Sequence, residues 1–243
     1  MKPRLATDNV INLDLPSICA DCDVREMTLC APLDGREMRQ LCGLLQRIEF
    51  ADGDTILDEG EPAEHVFNVT GGVVRLFKLL ADGRRTVTGF LFPGDFLGLT
   101  NHETYVSSAE ALGDVKLCRF SRTKLEGLFT TVPKLEKRLL GMASNELAAA
   151  QDQMVLLGRK SAGEKIASFL LTLSDRQIAR AVAPDPVLVP MTRSDIADYL
   201  GLTTETVSRT FTQLKVKGLI RLEAGGKVVL TNLDALKNLA AGT

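Results

Sequence analysis

The spacing of apolar and polar positions changes three times along this chain, and each change predicts a different kind of element. Residues 35–47 (GREMRQLCGLLQR) carry Met38, Leu41, Leu44 and Leu45 at helical spacing and predict one short helix. Cys42 falls on or beside that face and reads as a small buried hydrophobe. From Phe50 to about Phe120, short apolar stretches such as HVFNVT, VVRLFKLL and TVTGFLF alternate with turn signals, among them ADGD, GEPAE, GG and ADGRR. That texture predicts a compact β-sandwich or β-roll with no helix of useful length inside it.

Residues 132–158 reverse the pattern, being rich in Ala and Leu and helical throughout. Their apolar residues form two stripes. Leu140, Ala143, Leu147, Ala150, Met154 and Leu157 follow a 3–4 spacing suited to packing on the chain's own β domain. Leu135, Met142, Ala149 and Leu156 stand seven apart and are expected to line a dimer seam. Asp152 borders that seam, where two symmetry-related carboxylates would approach and weaken the pair. A second helix is predicted from Ala162 to about Ala179, and the three prolines of 182–190 then give a connector or short strand.

The C-terminal stretch 192–232 carries the strongest local signal. Thr192 or Ser194 starts a short helix with Ile196, Ala197 and Leu200 inward, and Gly201 supplies a sharp turn. Thr203 or Thr204 caps a second helix running through Val207, Phe211 and Leu214 to Lys217. Two helices joined by a short Gly-containing turn are a helix-turn-helix. LIRLEAGGKVVLTN then reads as a hairpin turning at Gly225–Gly226, a wing. In such a motif the start of the second helix meets base edges, so Thr204, Glu205, Thr206, Ser208 and Arg209 are the candidate DNA-reading residues. Glu205, Ser208 and Arg209 share one face, and Arg can grip guanine O6 and N7 while Glu accepts from cytosine N4.

Composition narrows the class without naming it. The 243 residues carry ordinary apolar and charged fractions (45% and 25%) and no apolar run approaching a membrane span. The N-terminus MKPRLATDNVINLDLP lacks the continuous apolar core of a secretory signal, so a cytoplasmic protein is expected. From Gly158 onward 12 Lys and Arg face 8 Asp and Glu, about +4, while the preceding part is about −6. A mildly basic C-terminal third suits nucleic acid. His65 and His102 stand isolated, and no Ser–His–Asp set, metalloenzyme box or P-loop is present, so no enzyme is expected.

Cys19, Cys22 and Cys30 lie within twelve residues, and Cys42 and Cys118 complete five. An odd number of thiols in a cytosolic chain points to metal or redox use rather than a disulfide framework. Thiolates suit zinc and iron–sulfur clusters alike, and spacing does not choose between them.

Taken in order, a cysteine-rich arm (1–34), a β-roll (35–131), a long helix (132–158) and a winged helix-turn-helix (159–243) resemble the CRP/FNR family of bacterial transcription regulators over nearly the whole chain. PGDFLGL (93–99) is similar to the family's β-roll signature, and TRSDIADYLGLTTETVSRTFTQL is similar to its DNA-binding signature. The implied fold class is α+β, with a cyclic-nucleotide-binding-like double-stranded β-helix, a dimerisation helix and the winged motif. The Glu205–Ser208–Arg209 face resembles that of the FNR branch. It implies a TTGAT-type half-site, with Arg209 on the guanine, Glu205 on that pair or its neighbour, and Ser208 near a thymine.

The cyclic-nucleotide branch places an arginine beside Ser or Thr to hold the phosphate; residues 102–111 offer Ser107 and Ser108 but no arginine. A phosphate without a cation loses its charge-assisted bonds, so cyclic AMP is not the expected effector. The FNR branch instead holds a [4Fe–4S] cluster on three N-terminal thiolates and one from the β-roll. The resemblance therefore implies Cys19, Cys22, Cys30 and Cys118 as ligands, leaves Cys42 over, and favours iron above zinc. Seven residues separate Cys22 from Cys30 where the best-known members have five, a C-x2-C-x7-C mark of the FnrL- and FixK-like subgroup of α-proteobacteria.

The function implied is oxygen-responsive binding of palindromic double-stranded DNA as a homodimer, and activation through RNA polymerase. The hairpin LLADGRRTV (79–87) matches the family's activating surface, with Asp82, Arg84 and Arg85 expected outward; a plain solvated β-turn fits it as well. Two rivals stay open: a family regulator sensing a small ligand, haem or thiol oxidation, and a zinc-stabilised binding module.

Overall fold

Alternating apolar residues between Leu45 and Ser121 build an antiparallel β-roll whose strands share one long central element. In this computed structural model the structure describes Cys19 and residues 22–243; the stretch 1–16, read above for a signal sequence, lies outside the described residues. The strands are β1 (Leu45–Phe50), β2 (Thr55–Leu57), β3 (His65–Leu79), β4 (Arg85–Leu91), β5 (Phe96–Leu97) and β6 (Ser108–Ser121). Their order is β1-β6-β3-β4, with β2 also on β6 and β5 on β3. A short helix, α1 (Gly35–Cys42), precedes them, and α2 (Arg122–Phe129) and the long α3 (Pro133–Arg159) follow.

The two stretches HVFNVT and VVRLFKLL are one strand, not two. The GG between them is a bulge inside β3, with the register to β6 shifting on both sides of Gly71. Gly72 has φ +77°, and a Cβ there would stand 2.2 Å from the Asp114 carbonyl oxygen. A glycine can therefore bend a strand without ending it, and the sequence alone does not distinguish that bulge from a turn.

Two apolar clusters fill the β-roll unit. One, around Phe67, Val69, Leu97, Ala109 and Val115, lies within the roll. The other joins Leu29, Leu33, Met38, Leu41, Phe120, Leu125 and Leu135 with Cys19, Cys30, Cys42 and Cys118. Helix α1 seats its half of this cluster through an Asp34–Glu37 capping box and buried Met38, Leu41 and Cys42.

The protein divides into two compact units, one with the described residues up to Arg84 and Thr88–Glu146, the other with Arg85–Val87 and Leu147–Thr243. The second unit holds α4 (Ala162–Ala179), β7 (Val187–Leu188), α5 (Arg193–Leu200), α6 (Thr204–Val216), β8 (Arg221–Glu223), β9 (Lys227–Val229) and α7 (Leu233–Ala241). Thr192 caps α5 with Asp195 in a capping box, Gly201 adopts the left-handed conformation (φ +62°), and Thr203 caps α6. The proline-rich connector supplies β7 as a third strand beside the wing, in the order β7-β9-β8. Helix α7 goes beyond the elements expected from sequence.

In its first turns the two stripes of α3 exchange burial. Leu135 is fully buried within its own subunit, together with Leu139, so it cannot line an outer seam. Met142 and Leu156 are half-buried and Ala149 is exposed. The uncovered face is the other stripe: Leu140, Leu147 and Met154 are 60–68% exposed and stand seven apart, with Ala143, Ala150 and Leu157 interleaved. Asp152 precedes Met154 by two residues, about 200° around the helix, and so sits on the face opposite this exposed stripe. The reason for the exchange is tertiary: docking of the first α3 turns on the cysteine cluster fixes which stripe is inside.

Candidate functional site

All five cysteines are free thiols; Cys19, Cys30, Cys42 and Cys118 are buried and Cys22 half-buried. Cys118 enters from β6, where it pairs across the sheet with Asn68 of β3. Cys30 follows a 3-10 turn (Arg25–Met27), and its backbone N–H donates to the Thr28 hydroxyl. Burial pushes the Cys30 thiol up to about 11 and the Cys118 thiol up to about 12; Cys22 and Cys30 add to the rise at Cys118. Cys19 and Cys42 meet with their Sγ atoms 2.7 Å apart. That hydrogen bond, with help from Arg47 and Arg25, brings Cys19 down to about 7. Cys42 moves the other way, raised first by the same bond and then by burial and by Cys19, Cys30 and Cys118 nearby.

Among the described residues no group of three or more His, Cys, Asp or Glu is arranged to hold a metal ion as it stands. The chemistry of the donor set nevertheless fits a thiolate-bound group. Thiols gather in one dry cluster, and the buried Asn68 amide directs its Nδ2 at Cys30 Sγ (4.0 Å) while its Oδ1 finds no partner among the described residues. A buried polar atom left unpaired is costly, and an amide N–H directed at a ligand sulfur is a common second layer around metal centres.

Two basic residues on the first turns of α3 tie down the arm beside these thiols. Arg138 donates from Nη2 to the Met27 carbonyl (2.6 Å) and from Nε to the Thr28 carbonyl (3.2 Å). Lys134 pairs with Glu37 (2.7 Å) and reaches the Pro32 carbonyl. Sequence reasoning passed over both, and over Asn68; the one available signal was two cations four residues apart, which a solvated helix face shows equally.

The helix-turn-helix places Thr204, Glu205, Ser208 and Arg209 exposed at the start of α6 and Thr206 half-buried. Arg209 pairs with Glu205, four residues earlier. The Ser208 hydroxyl donates back to the Thr204 carbonyl, and the Thr206 hydroxyl shares a hydrogen bond with Thr203. Behind this face Val207, Phe211 and Leu214 are buried, and the Arg193 guanidinium lies 3.4 Å from the Phe211 ring centroid. Buried Lys165 of α4 donates to the Leu200 carbonyl at the end of α5, satisfying a helix C-terminus that the turn leaves open. The face thus exposes a guanidinium and a carboxylate side by side at the start of α6.

A Crp-like helix-turn-helix domain matches residues 164–239, and a cyclic nucleotide-binding domain matches residues 47–131. The nitrogen fixation regulation protein FixK of Bradyrhizobium diazoefficiens is 46% identical over 208 residues, covering 86% of this chain and 88% of that protein. The transcriptional activator protein FnrL of Cereibacter sphaeroides is 36% identical over 230 residues, covering 92% and 93%. The solved structure of FixK2 from Bradyrhizobium japonicum superposes with a TM-score of 0.75 at 39% identity, over 80% of this chain and 96% of that one. The chain belongs to the CRP/FNR family. It is a DNA-binding transcriptional activator of the FNR/FixK type and not an enzyme.

The β-roll of this CRP/FNR regulator holds a cavity of about 430 Å³, lined in part by Leu57, Leu76, Leu97 and Tyr105. Its one lining cation is Arg138, whose guanidinium is already bound to the Met27 and Thr28 carbonyls. Ser107 lines it, while the Ser108 hydroxyl accepts from the Glu59 backbone N–H. At the β3–β4 hairpin Asp82 and Arg84 are exposed and paired with each other, whereas Arg85 is half-buried rather than outward. No described helix is long and apolar enough to cross a membrane.

Proposed function

We propose that this regulator is oxygen-responsive, that Cys19, Cys22, Cys30 and Cys118 hold a [4Fe–4S] cluster, and that it binds TTGAT-type palindromes as a cytoplasmic homodimer which activates through RNA polymerase. The observation that carries this reading is the tie between the cysteine arm and α3. Arg138 and Lys134 hold the main chain at Met27, Thr28 and Pro32, next to Cys30, on the same helix that exposes the Leu140–Leu147–Met154 stripe. Order in the arm is therefore order in the first turns of the long helix.

When bound, the cluster would supply an oxygen-labile core whose loss removes the bonds that gather the thiolates. The chain's own residues do the rest. The Asn68 amide orients Cys30, Arg138 transmits the arm's position to α3, and the exposed stripe of α3 meets its two-fold copy. The paired α6 helices then address half-sites about one DNA turn, ~34 Å, apart. There Arg209 reads guanine, Glu205 accepts from a cytosine amine, and Ser208 lies near a thymine. Asp82 and Arg84, exposed at the hairpin tip, are the residues offered to polymerase. Zinc on the same thiolates would keep the structural tie but lose the response to oxygen.

Anisotropy titrations of a TTGAT palindrome test this reading. Protein kept anoxic is expected to bind at least about 10-fold more tightly than the same protein after exposure to air, against a background that weakens with salt. Equal affinity before and after air would refute oxygen control. The 430 Å³ cavity favours one second reading, a small apolar ligand in the β-roll as the signal. Iron-free protein that binds the palindrome only with such a ligand would establish it instead.

A further inference from the structure

Of the five thiols, Cys19, Cys30, Cys42 and Cys118 share one buried cluster and Cys22 is half-buried, while a [4Fe–4S] cluster needs four ligands. Cys42 belongs to the same buried cluster as Cys19, Cys30 and Cys118, with its Sγ 2.7 Å from that of Cys19.

We propose that Cys42 is an alternative ligand of the centre, so that one iron corner is held by either Cys19 or Cys42 while Cys22, Cys30 and Cys118 hold the other three. This rests on the thiolate-cluster reading above and deepens it. Two sulfurs side by side can each reach one metal position, since a metal–thiolate bond is ~2.3 Å long. The two differ in their support. Cys42 ends α1, a helix fixed by its Asp34–Glu37 capping box and by buried Met38 and Leu41. Cys19 belongs to the arm. A ligand on the fixed scaffold keeps the site closed when the arm's first cysteine lets go, and lets the arm exchange without loss of iron.

The test is the iron and acid-labile sulfide content of anaerobically purified full-length protein, read with absorbance near 400 nm, for C19S, C42S, C19S/C42S and C22S. Each of C19S and C42S is expected to keep more than half of the wild-type iron. C19S/C42S and C22S are expected to fall at least tenfold, to the metal-free background. Loss of iron in C19S alone, beside a loaded wild type and a loaded C42S, would overturn the proposal and leave the four-ligand cluster intact. Full loading of C19S/C42S would overturn it as well. An iron-free wild type would sink the cluster itself, which separates the two failures. Should the double variant fold poorly by circular dichroism, C19S alone still decides.

Discussion

Arg209 is the side chain on which sequence discrimination depends most heavily in this account. It stands exposed at the start of α6 beside Glu205, and the buried Val207 and Phe211 behind it fix the helix from which it projects. Arg209→Ala is expected to cost about 1–3 kcal/mol on a TTGAT site, roughly 5- to 150-fold, and to flatten the preference over mismatched sites. Competition titrations would show it; an undiminished preference would remove Arg209 from the reading face. Asn68 makes a second claim at this scale. Leu at position 68 deletes the amide directed at Cys30 Sγ while keeping similar volume. Iron content is expected to hold, with bleaching in air faster by about 10-fold, as for lost outer-layer partners of metal ligands. Bleaching at the wild-type rate would make Asn68 merely structural. The helix-turn-helix was legible because caps and turn are local: Thr192, Gly201 and Thr203 mark the motif within a dozen residues. Asn68 and Cys42 were not, because strand register and helix docking bring them to the thiols, and neither is written in nearby spacing.

Among the elements, α3 is the one through which the proposed coupling would run. Its Leu140–Leu147–Met154 stripe leaves large apolar side chains in water, which a two-fold copy would cover. Leu147→Glu is expected to remove about 3 kcal/mol or more over the two copies, raising the dimer Kd roughly 100-fold or beyond. Asp152→Ala, on the opposite face, is expected to leave it unchanged. Sedimentation of loaded protein would distinguish the two; equal effects would return the seam to the opposite stripe. The helix and its length were readable from the absence of breakers and the run of Ala and Leu. Which stripe lies inside was not, because both share one period and only the docking of Leu135 and Leu139 decides between them. Gly72 teaches the same lesson in β3, where two expected strands are one bent strand.

For the molecule as a whole, β-roll, long helix and winged helix-turn-helix were recognisable in order, and the family relationship agrees with them. The central claim is narrower: the thiols beside Arg138 hold an oxygen-labile iron–sulfur centre. The anaerobic absorption spectrum with iron and sulfide counts tests it most directly. The account predicts a broad band near 400 nm, about four irons and four sulfides per chain, and bleaching in air in step with loss of TTGAT binding. Protein that is fully folded and DNA-binding without iron, or that carries zinc alone, would contradict it.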